Sequence, residues 1–318
     1  MGFVHSPVRS RFGRIALVAI LTLITLKLFV LQHLLPPPVP TNGPRPPASE
    51  LPIPRHIWQI FFAPAEAQSL DKKNIFTSDW IASAPGYGYS LVEQQDADDF
   101  VDSHFPSRPE IAETFHALRN PAVKSDFLRY LILLARGGLY TDLDTQPLTP
   151  PEDWLPAARR RDAHLILGLE SDLAIDHGPS FPKEPVQFSQ WTIAAAPNHP
   201  LLERMVNRTM DALHDIARRQ GVKIGEITYT DKEVLDVSGP HGWSEAVIGY
   251  LRDVDPGIED LGDFFGTDRP RYIKDTVVLP VESFRADYLC GWGLKWRLDS
   301  TRRCLVRHWF TGSWRTWT

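Results

Sequence analysis

The stretch from Ser125 to Leu148 constrains the fold of this chain more than any other part of the sequence. Its first half repeats apolar residues at helical spacing, and Gly137-Gly138 ends that helix. A short apolar run follows, and Asp142 and Asp144 come at its end, two residues apart. A helix, a glycine turn and a buried strand that ends in carboxylates are typical of an α/β protein that binds a ligand at the carboxyl end of its sheet. Paired carboxylates also form half of a site for Mn²⁺ or Mg²⁺.

Strand-like and helix-like runs alternate through the rest of the chain from residue 55 onward. The predicted strands are 55–62, 89–92, 164–169, 188–196 and 277–281. The predicted helices are 98–105, 109–118, 121–136, 201–220 and 243–251. This alternation predicts an α/β sandwich with a mainly parallel sheet.

The N-terminal residues have the pattern of a membrane anchor. The run 15–35 is apolar and, at about 20 residues, long enough to span a bilayer. The arginines before it indicate a cytoplasmic N-terminus, and Lys27 inside it could reach the far interface if the span is short. A cleaved signal peptide is the alternative, but no small-residue cleavage site follows the run.

A proline-rich stem follows this anchor. Nine of the nineteen residues in 36–54 are proline, a composition that favours an extended spacer over a packed core. The sequence therefore predicts a single-pass type II membrane protein. Its parts would be a cytoplasmic tail 1–14, a transmembrane signal anchor 15–35, a stem 36–54 and a lumenal domain 55–318.

Overall composition narrows the classes of protein further. With 43% hydrophobic residues the chain is an ordinary globular sequence, and a net charge of −5 argues against a nucleic-acid binder. The chain has two cysteines, Cys290 and Cys304. In an oxidising lumen they would either pair or remain as buried thiols.

Asp126 and Arg129 lie three residues apart on the helical face opposite its apolar side chains. One interpretation is a solvated ion pair worth a few tenths of a kcal/mol. The other is that this face looks into a cleft and that both side chains bind the hydroxyl groups of a sugar. Helical spacing alone favours the first interpretation.

Several further blocks carry a resemblance to a known family. The string DFLRYLILLARGGLYTDLDTQPL resembles the signature of glycosyltransferase family 32, whose enzymes bind metal through an Asp-x-Asp motif. The other blocks are PRHIWQ, QFSQWTIA, NHPLL, SGP and HWFTGSW, which occur in that order from residue 54 onward. Within the family, the anchor and the QWTIA block most resemble the fungal initiating α-1,6-mannosyltransferases.

The resemblance implies a GT-A-type nucleotide-sugar-binding Rossmann-like sandwich that uses GDP-mannose and Mn²⁺ and retains the anomeric configuration. By resemblance, the metal site comprises Asp142, Asp144 and His308: Asp144 would be the direct metal ligand, His308 a further one, and Asp142 would contact the ribose or the metal. The donor sugar would be bound by Asp126 and Arg129. The remaining contacts implied with the donor are stacking of Trp58 on the base, Tyr140 beside the nucleotide, and Ser313 with Trp314 closing over the diphosphate.

The resemblance also implies a cellular role. The expected reaction is α-1,6-mannosylation of N-glycans by a Golgi membrane enzyme that associates with other Golgi mannosyltransferases. One alternative keeps the chemistry but changes the acceptor to inositol phosphoceramide or another glycan. Another is an inactive, membrane-anchored glycan-binding domain.

Glu170, at the end of a predicted strand, is either an acceptor contact or a structural residue.

Overall fold

The computed structural model describes residues 51–62, 73–174, 185–284 and 304–310. The longer helices are α1 Lys73–Ser83, α2 Gln94–His104, α3 Pro109–Ala117, α4 Pro121–Arg136, α6 Pro200–Gln220, α7 Asp231–Val237 and α8 Pro240–Val254. The single-turn helices are α5 Ala157–Arg160 and α9 Val281–Phe284. The strands are β1 His56–Ile60, β2 Gly88–Val92, β3 Gly138–Thr141, β4 Thr145–Pro147, β5 Leu165–Asp172, β6 Val186–Phe188, β7 Thr192–Ala195, β8 Arg271–Ile273, β9 Thr276–Leu279 and β10 Val306–His308.

The central sheet is mixed. Its strand order is β2-β1-β3-β7-β5-β9-β8, with β6 paired to β5 outside this path. Strand β1 runs parallel to both β2 and β3, and β5 runs parallel to β9. Strand β7 lies antiparallel between β3 and β5, while β8 and β6 are antiparallel to their neighbours. The prediction of an α/β sheet is therefore confirmed, but the prediction of a mainly parallel one is wrong.

The two faces of the sheet are covered by separate apolar clusters. The larger cluster includes Phe127 and Leu131 of α4, Met205 of α6 and Trp243 of α8. The smaller cluster includes Trp80, Trp154, Trp191 and Phe284. Because both faces are buried, the carboxyl ends of the strands and their connecting loops are where polar side chains can meet a ligand.

Helix α4 begins and ends where the sequence predicts. The side chain of Asn120 accepts hydrogen bonds from the backbone N–H groups of Ala122 and Val123, and Pro121 occupies the first turn. At its other end, the N–H of Gly137 donates to the carbonyl of Leu133. The caps thus fix the helix that carries Asp126 and Arg129.

The two glycines after α4 allow close approach of neighbouring strands. Gly137 and Gly138 have φ values of 61° and 104°, which residues with a Cβ atom rarely adopt. A Cβ on Gly137 would lie 2.7 Å from the carbonyl oxygen of Ala195, and a Cβ on Gly138 would lie 2.7 Å from that of His56. Any larger residue would push β3 away from β1 and β7, and would move the carboxylates at its end.

Other sequence predictions differ from the structure in instructive ways. The predicted strand 188–196 is two strands, β6 and β7, separated by a bend at residues 190 and 191. Helices α1 and α7 lie where no element was predicted. The predicted anchor 15–35 and stem lie outside the described residues, apart from the last residues of the stem. Within the described ranges, no helix has the length and apolar character needed to cross a membrane.

His199 makes the stability of the fold depend on pH. Its Nδ1 accepts a hydrogen bond from the N–H of Leu201 at 3.2 Å, which caps α6. Burial lowers the pKa of His199 to about 4, against the opposing charge of Asp275. Since the unfolded chain protonates this group first, its stabilising contribution is complete above pH 6.5 and is lost as the pH falls toward 4. The loss amounts to about 3 kcal/mol.

We expect His199→Asn to flatten this dependence, because asparagine can cap a helix but does not titrate. The free energy of unfolding, measured with urea at pH 7, 5.5 and 4, should fall less steeply in the variant than in the wild type. His214→Asn, at an exposed position of the same helix, is the matched control. Parallel pH profiles for wild type and His199→Asn would show that the prediction is wrong.

Candidate active site

The loop after β3 holds Asp142 in a fixed position. Its N–H donates to the carbonyl of Trp191 at 2.8 Å. Its carbonyl accepts from the Thr145 hydroxyl at 2.5 Å and from the Gln59 side chain at 3.1 Å. The Tyr140 hydroxyl donates to Asp142 Oδ1 at 2.5 Å. The backbone of Asp142 is therefore held by three residues, and the Tyr140 hydroxyl orients its carboxylate.

A C-terminal strand brings His308 to the second aspartate. Strand β10 pairs with β4 in a small antiparallel sheet, with His308 opposite Thr145. The N–H of Trp309 donates to the carbonyl of Asp144 at 2.9 Å. His308 Nε2 then lies 3.0 Å from Asp144 Oδ1. Residues 164 positions apart are thus joined by backbone pairing as well as by their side chains.

The residues at this junction fit a divalent cation. Asp142, Asp144 and His308 each offer one ligand atom, and these atoms lie within 4.8 Å of one another. Two carboxylate oxygens and an imidazole suit Mn²⁺ and related ions. The buried Nδ1 of His308 has no hydrogen-bond partner among the described residues. The imidazole is therefore not committed at both nitrogens to the protein.

Asp126 and Arg129 form a buried ion pair beside these carboxylates. Arg129 lies 2.6 Å from Asp126 Oδ1 and 3.5 Å from Asp142 Oδ1, and it also donates to the carbonyl of Gln190 at 3.1 Å. Only 5% of the Arg129 side chain and 10% of the Asp126 side chain are exposed. The interpretation of a solvated pair on an open helical face is therefore wrong. The face of α4 that carries Asp126 and Arg129 is therefore buried, as is its apolar face.

The charges of this network act on one another strongly. Burial raises the pKa of Asp126 to about 6, against the opposing charge of Arg129. Burial also raises the pKa of Asp142, again opposed by Arg129. Burial lowers the pKa of His308, but the hydrogen bond to Asp144 and the charges of the nearby carboxylates together outweigh this effect and leave the pKa raised. The site thus holds excess carboxylate charge that a bound cation would balance.

Two residues expected at the nucleotide have other positions. Trp58 is 9% exposed in the core, and its indole N–H donates to the carbonyl of Gly137 at 2.9 Å, at the start of β3 rather than at its carboxyl end. This position corrects the expectation that Trp58 stacks on a base. Tyr140 is 1% exposed. Its ring lies beneath Arg129, and the ring centre is 4.8 Å from the guanidinium carbon. It orients Asp142 and does not present a surface to a nucleotide.

Other polar groups complete the site, and sequence reasoning assigned them no role. The hydroxyl of Ser238 donates to Asp126 Oδ2 at 3.0 Å. The hydroxyl of Tyr130 lies 2.7 Å from both Gln190 Oε1 and the carbonyl of Ser238. Ser238 and Gln190 lie within two of the blocks that carry the resemblance, SGP and QFSQWTIA. Membership in these blocks was the sequence signal that could have identified them. Ser313 and Trp314 lie outside the described residues, and their role stays a prediction.

Cys304 lies just before β10 and takes part in a disulfide. Of the two expectations for this cysteine, pairing is therefore the one that agrees with the structure. The other cysteine of the sequence, Cys290, lies outside the described residues.

The chain is similar in sequence to known glycosyltransferases. Residues 71–161 match the family described as "Glycosyltransferase sugar-binding region containing DXD motif". The chain is 31% identical over 270 residues to the initiation-specific alpha-1,6-mannosyltransferase of Schizosaccharomyces pombe, an alignment that covers 83% of this chain and 64% of that protein. The protein of the same description from Candida albicans is 26% identical over 284 residues, with coverage of 83% and 72%. The chain thus spans slightly less than two thirds of the S. pombe relative.

Solved structures show weaker similarity. The PaToxG glycosyltransferase has a TM-score of 0.45 and 16% identity, and covers 66% of this chain and 76% of its own. The catalytic domain of the alpha-toxin from Clostridium novyi has a TM-score of 0.32 and 11% identity, with coverage of 66% and 70%. The description of the fold therefore rests on the strand order and pairing of this chain.

Proposed function

We propose that this chain is a glycosyltransferase of the family whose sugar-binding region contains a DXD motif, and that it transfers mannose from GDP-mannose to a glycan. The observation that carries the proposal is the meeting of Asp142 and Asp144, from that motif, with His308 from the far end of the chain. Both fungal relatives described above are α-1,6-mannosyltransferases, which supports mannose as the transferred sugar and α-1,6 as the linkage.

The carboxylates and the imidazole would hold the diphosphate end of the donor. A divalent ion such as Mn²⁺, bound by Asp142, Asp144 and His308, would supply positive charge against the leaving nucleoside diphosphate. The chain's own contribution is to fix these side chains before substrate arrives. The loop hydrogen bonds of Asp142 and the pairing of β10 with β4 do so, and fixed charges lose little energy in reorganisation.

The Asp126–Arg129 pair would bind the sugar of the donor. Arg129 is held by Asp126 and by the carbonyl of Gln190, so its guanidinium keeps one position next to Asp142. Asp126 is held by Ser238. A buried carboxylate and a buried guanidinium provide both acceptors and donors for the hydroxyl groups of a hexose. We propose that this fixed geometry orients the anomeric carbon toward the acceptor, with retention of configuration.

The proposed cellular setting is the Golgi membrane. The anchor pattern of 15–35 and the proline-rich stem support a lumenal enzyme, and N-glycans are the acceptor implied by the resemblance to the initiating α-1,6-mannosyltransferases. Other Golgi mannosyltransferases are the proposed partners. Cys304, which is disulfide-bonded, agrees with an oxidising compartment.

A donor panel tests the proposal. The full-length chain would be incubated with GDP-mannose, UDP-glucose or UDP-galactose and a mannose-terminated N-glycan oligosaccharide, with Mn²⁺ or with EDTA. We expect transfer from GDP-mannose alone, and loss of transfer in EDTA, because the leaving diphosphate is then uncompensated. Inositol phosphoceramide serves as a competing acceptor. Equal rates from a UDP-hexose, or full activity in EDTA, would contradict the proposal.

A further inference from the structure

A second polar group lies next to the metal ligands, and the donor site leaves it unused. Its members are Glu170 on β5 and three residues at alternate positions along β6 and the link to β7: Gln187, Ser189 and Trp191. Each of these four residues is at most 7% exposed. The residue between the last two, Gln190, instead accepts hydrogen bonds from Arg129 and Tyr130 of α4. We call these four residues the acceptor subsite, and they are separate from the contacts of Asp126 and Arg129.

A β-bulge sets the position of Glu170. In the ladder between β5 and β6, Leu169 lies opposite Phe188 and Ser171 lies opposite Gln187, so Glu170 is an extra residue on β5. Bulges redirect side chains and are common beside active sites. The side-chain N–H of Gln187 donates to Glu170 Oε2 at 2.9 Å, within the buried interior. The carboxylate is therefore held in place by a neighbouring strand.

Three polar atoms of this group have no hydrogen-bond partner among the described residues. They are Gln187 Oε1, Ser189 Oγ and Trp191 Nε1. A buried polar atom without a partner costs about 1 to 3 kcal/mol, so such atoms are rare unless water or a ligand satisfies them. Three of them on alternate residues of one short segment indicate a surface built to be hydrogen-bonded by something outside the chain.

The group borders the metal ligands directly. The ring centre of Trp191 lies 4.5 Å from that of His308, and the carbonyl of Trp191 accepts from the N–H of Asp142. The charge of Glu170 also raises the pKa of His308, by less than the two aspartates do and against the lowering effect of burial. A molecule bound at Glu170 would therefore lie beside the diphosphate held by the metal site.

The chemistry of these polar groups matches a sugar hydroxyl. The carboxylate of Glu170 and Gln187 Oε1 accept hydrogen bonds, whereas Trp191 Nε1 only donates. A hydroxyl group both donates and accepts, so neighbouring hydroxyls of one sugar ring can satisfy all of these atoms. The hydroxyls of the donor sugar already have proposed partners in Asp126 and Arg129. The acceptor sugar is the remaining hydroxyl-bearing substrate.

We propose that Glu170, held by Gln187 and flanked by Ser189 and Trp191, binds the attacking hydroxyl of the acceptor sugar. The carboxylate accepts a hydrogen bond from that hydroxyl and orients its oxygen toward the anomeric carbon. The inference rests on the proposed function and adds the acceptor side to it. Glu170 is a binding and orienting residue in this role, and no covalent bond to it forms.

Glu170→Gln in the full-length chain tests the proposal, because the amide keeps the size of the side chain but removes its charge. Transfer from GDP-mannose to a mannose-terminated oligosaccharide should show a kcat/KM for the acceptor that is lower by about 10- to 100-fold. The dissociation constant of GDP-mannose and the slow hydrolysis of GDP-mannose by water should stay within about twofold. Trp191→Phe, which removes only the N–H, should lower the same kcat/KM by about fivefold.

Glu152→Gln is the matched control, since it makes the same substitution at a carboxylate that is 9% exposed and outside the acceptor subsite. Its kinetics should equal those of the wild type. Unchanged transfer in Glu170→Gln would overturn the proposal and leave the polar atoms to buried water. A fall in donor affinity by the same factor as transfer would also overturn it, because Glu170 would then belong to the donor site.

A binding titration separates this inference from the proposed function. If the wild type fails to transfer mannose from GDP-mannose, the proposed function is wrong. Calorimetric binding of the oligosaccharide in the presence of GDP and Mn²⁺ then decides the acceptor subsite. Binding that is about tenfold weaker in Glu170→Gln than in the wild type would support it. Equal binding, or none to the wild type, would overturn it. If Glu170→Gln does not fold, Trp191→Phe gives the same comparison.

Discussion

Asp144→Ala is expected to abolish metal-dependent transfer, with a loss of roughly 1,000-fold in kcat, since a metal ion at a leaving group is worth several kcal/mol. Asp144 is the proposed metal ligand that contacts His308 at 3.0 Å, so its loss removes one proposed ligand and leaves the other without this partner. The backbone of residue 144 would still pair with Trp309, which preserves the junction of β4 and β10. The defect should therefore lie in the site and not in the fold.

Mn²⁺ binding and activity are measured together for this prediction. Titration of the full-length chain with Mn²⁺ in the presence of GDP should show weaker binding in Asp144→Ala, and in Asp144→Asn, which keeps the size of the side chain. Asp162→Ala, at an exposed position before β5, is the control and should behave as the wild type. Full Mn²⁺-dependent transfer by Asp144→Ala would refute the metal assignment.

Arg129→Met is expected to destabilise the fold by about 3 to 5 kcal/mol, because it leaves a buried carboxylate without its cation. Asp126 contacts Arg129 at 2.6 Å, and 10% of its side chain is exposed, so water cannot replace the lost charge well. Asp142 loses its nearer cation too, at 3.5 Å. Urea unfolding at pH 7 measures the loss. Arg136→Met, on the exposed side of the last turn of the same helix, is the control.

The double variant Asp126→Asn, Arg129→Met separates stability from function. It removes both charges, and replacing a whole buried ion pair often costs little stability. We expect the free energy of unfolding to return most of the way to the wild-type value, while transfer stays lost because the donor sugar has no charged partner. Transfer restored together with stability would show that the pair is structural and does not bind the sugar.

Local patterns accounted for the elements that could be predicted. Helix α4 has Asn120 as its cap, Pro121 in its first turn and glycine at its end, and each acts over four residues or fewer. Local patterns also predicted β1, β2 and α6, whose predicted and observed bounds differ by two residues at most. Single-sequence patterns failed at α1 and α7. Helix α7 has a capping box at Thr230 and Glu233, a signal that was present and unused.

Pairing between distant strands was beyond the reach of such patterns. The sheet is mixed because β7 lies antiparallel between β3 and β5, and a run of apolar residues reads the same in either direction. The buried state of Asp126 and Arg129 was hidden for a related reason. Helical spacing showed that they share a face, but the cover on that face comes from Gln190 and Ser238, far along the chain.

The sequence by itself determined the class of this protein and the identity of its central residues. The helix, glycine turn and Asp-x-Asp lie within 24 residues, so a local pattern was enough to predict paired carboxylates at the end of a strand. Only the tertiary structure decided what surrounds them. It set Trp58 in the core, brought the Tyr140 hydroxyl to Asp142, and placed the Trp191 ring beside His308. Burial and hydrogen-bond partners depend on strands that meet from distant parts of the chain, and no local pattern encodes which strands those are.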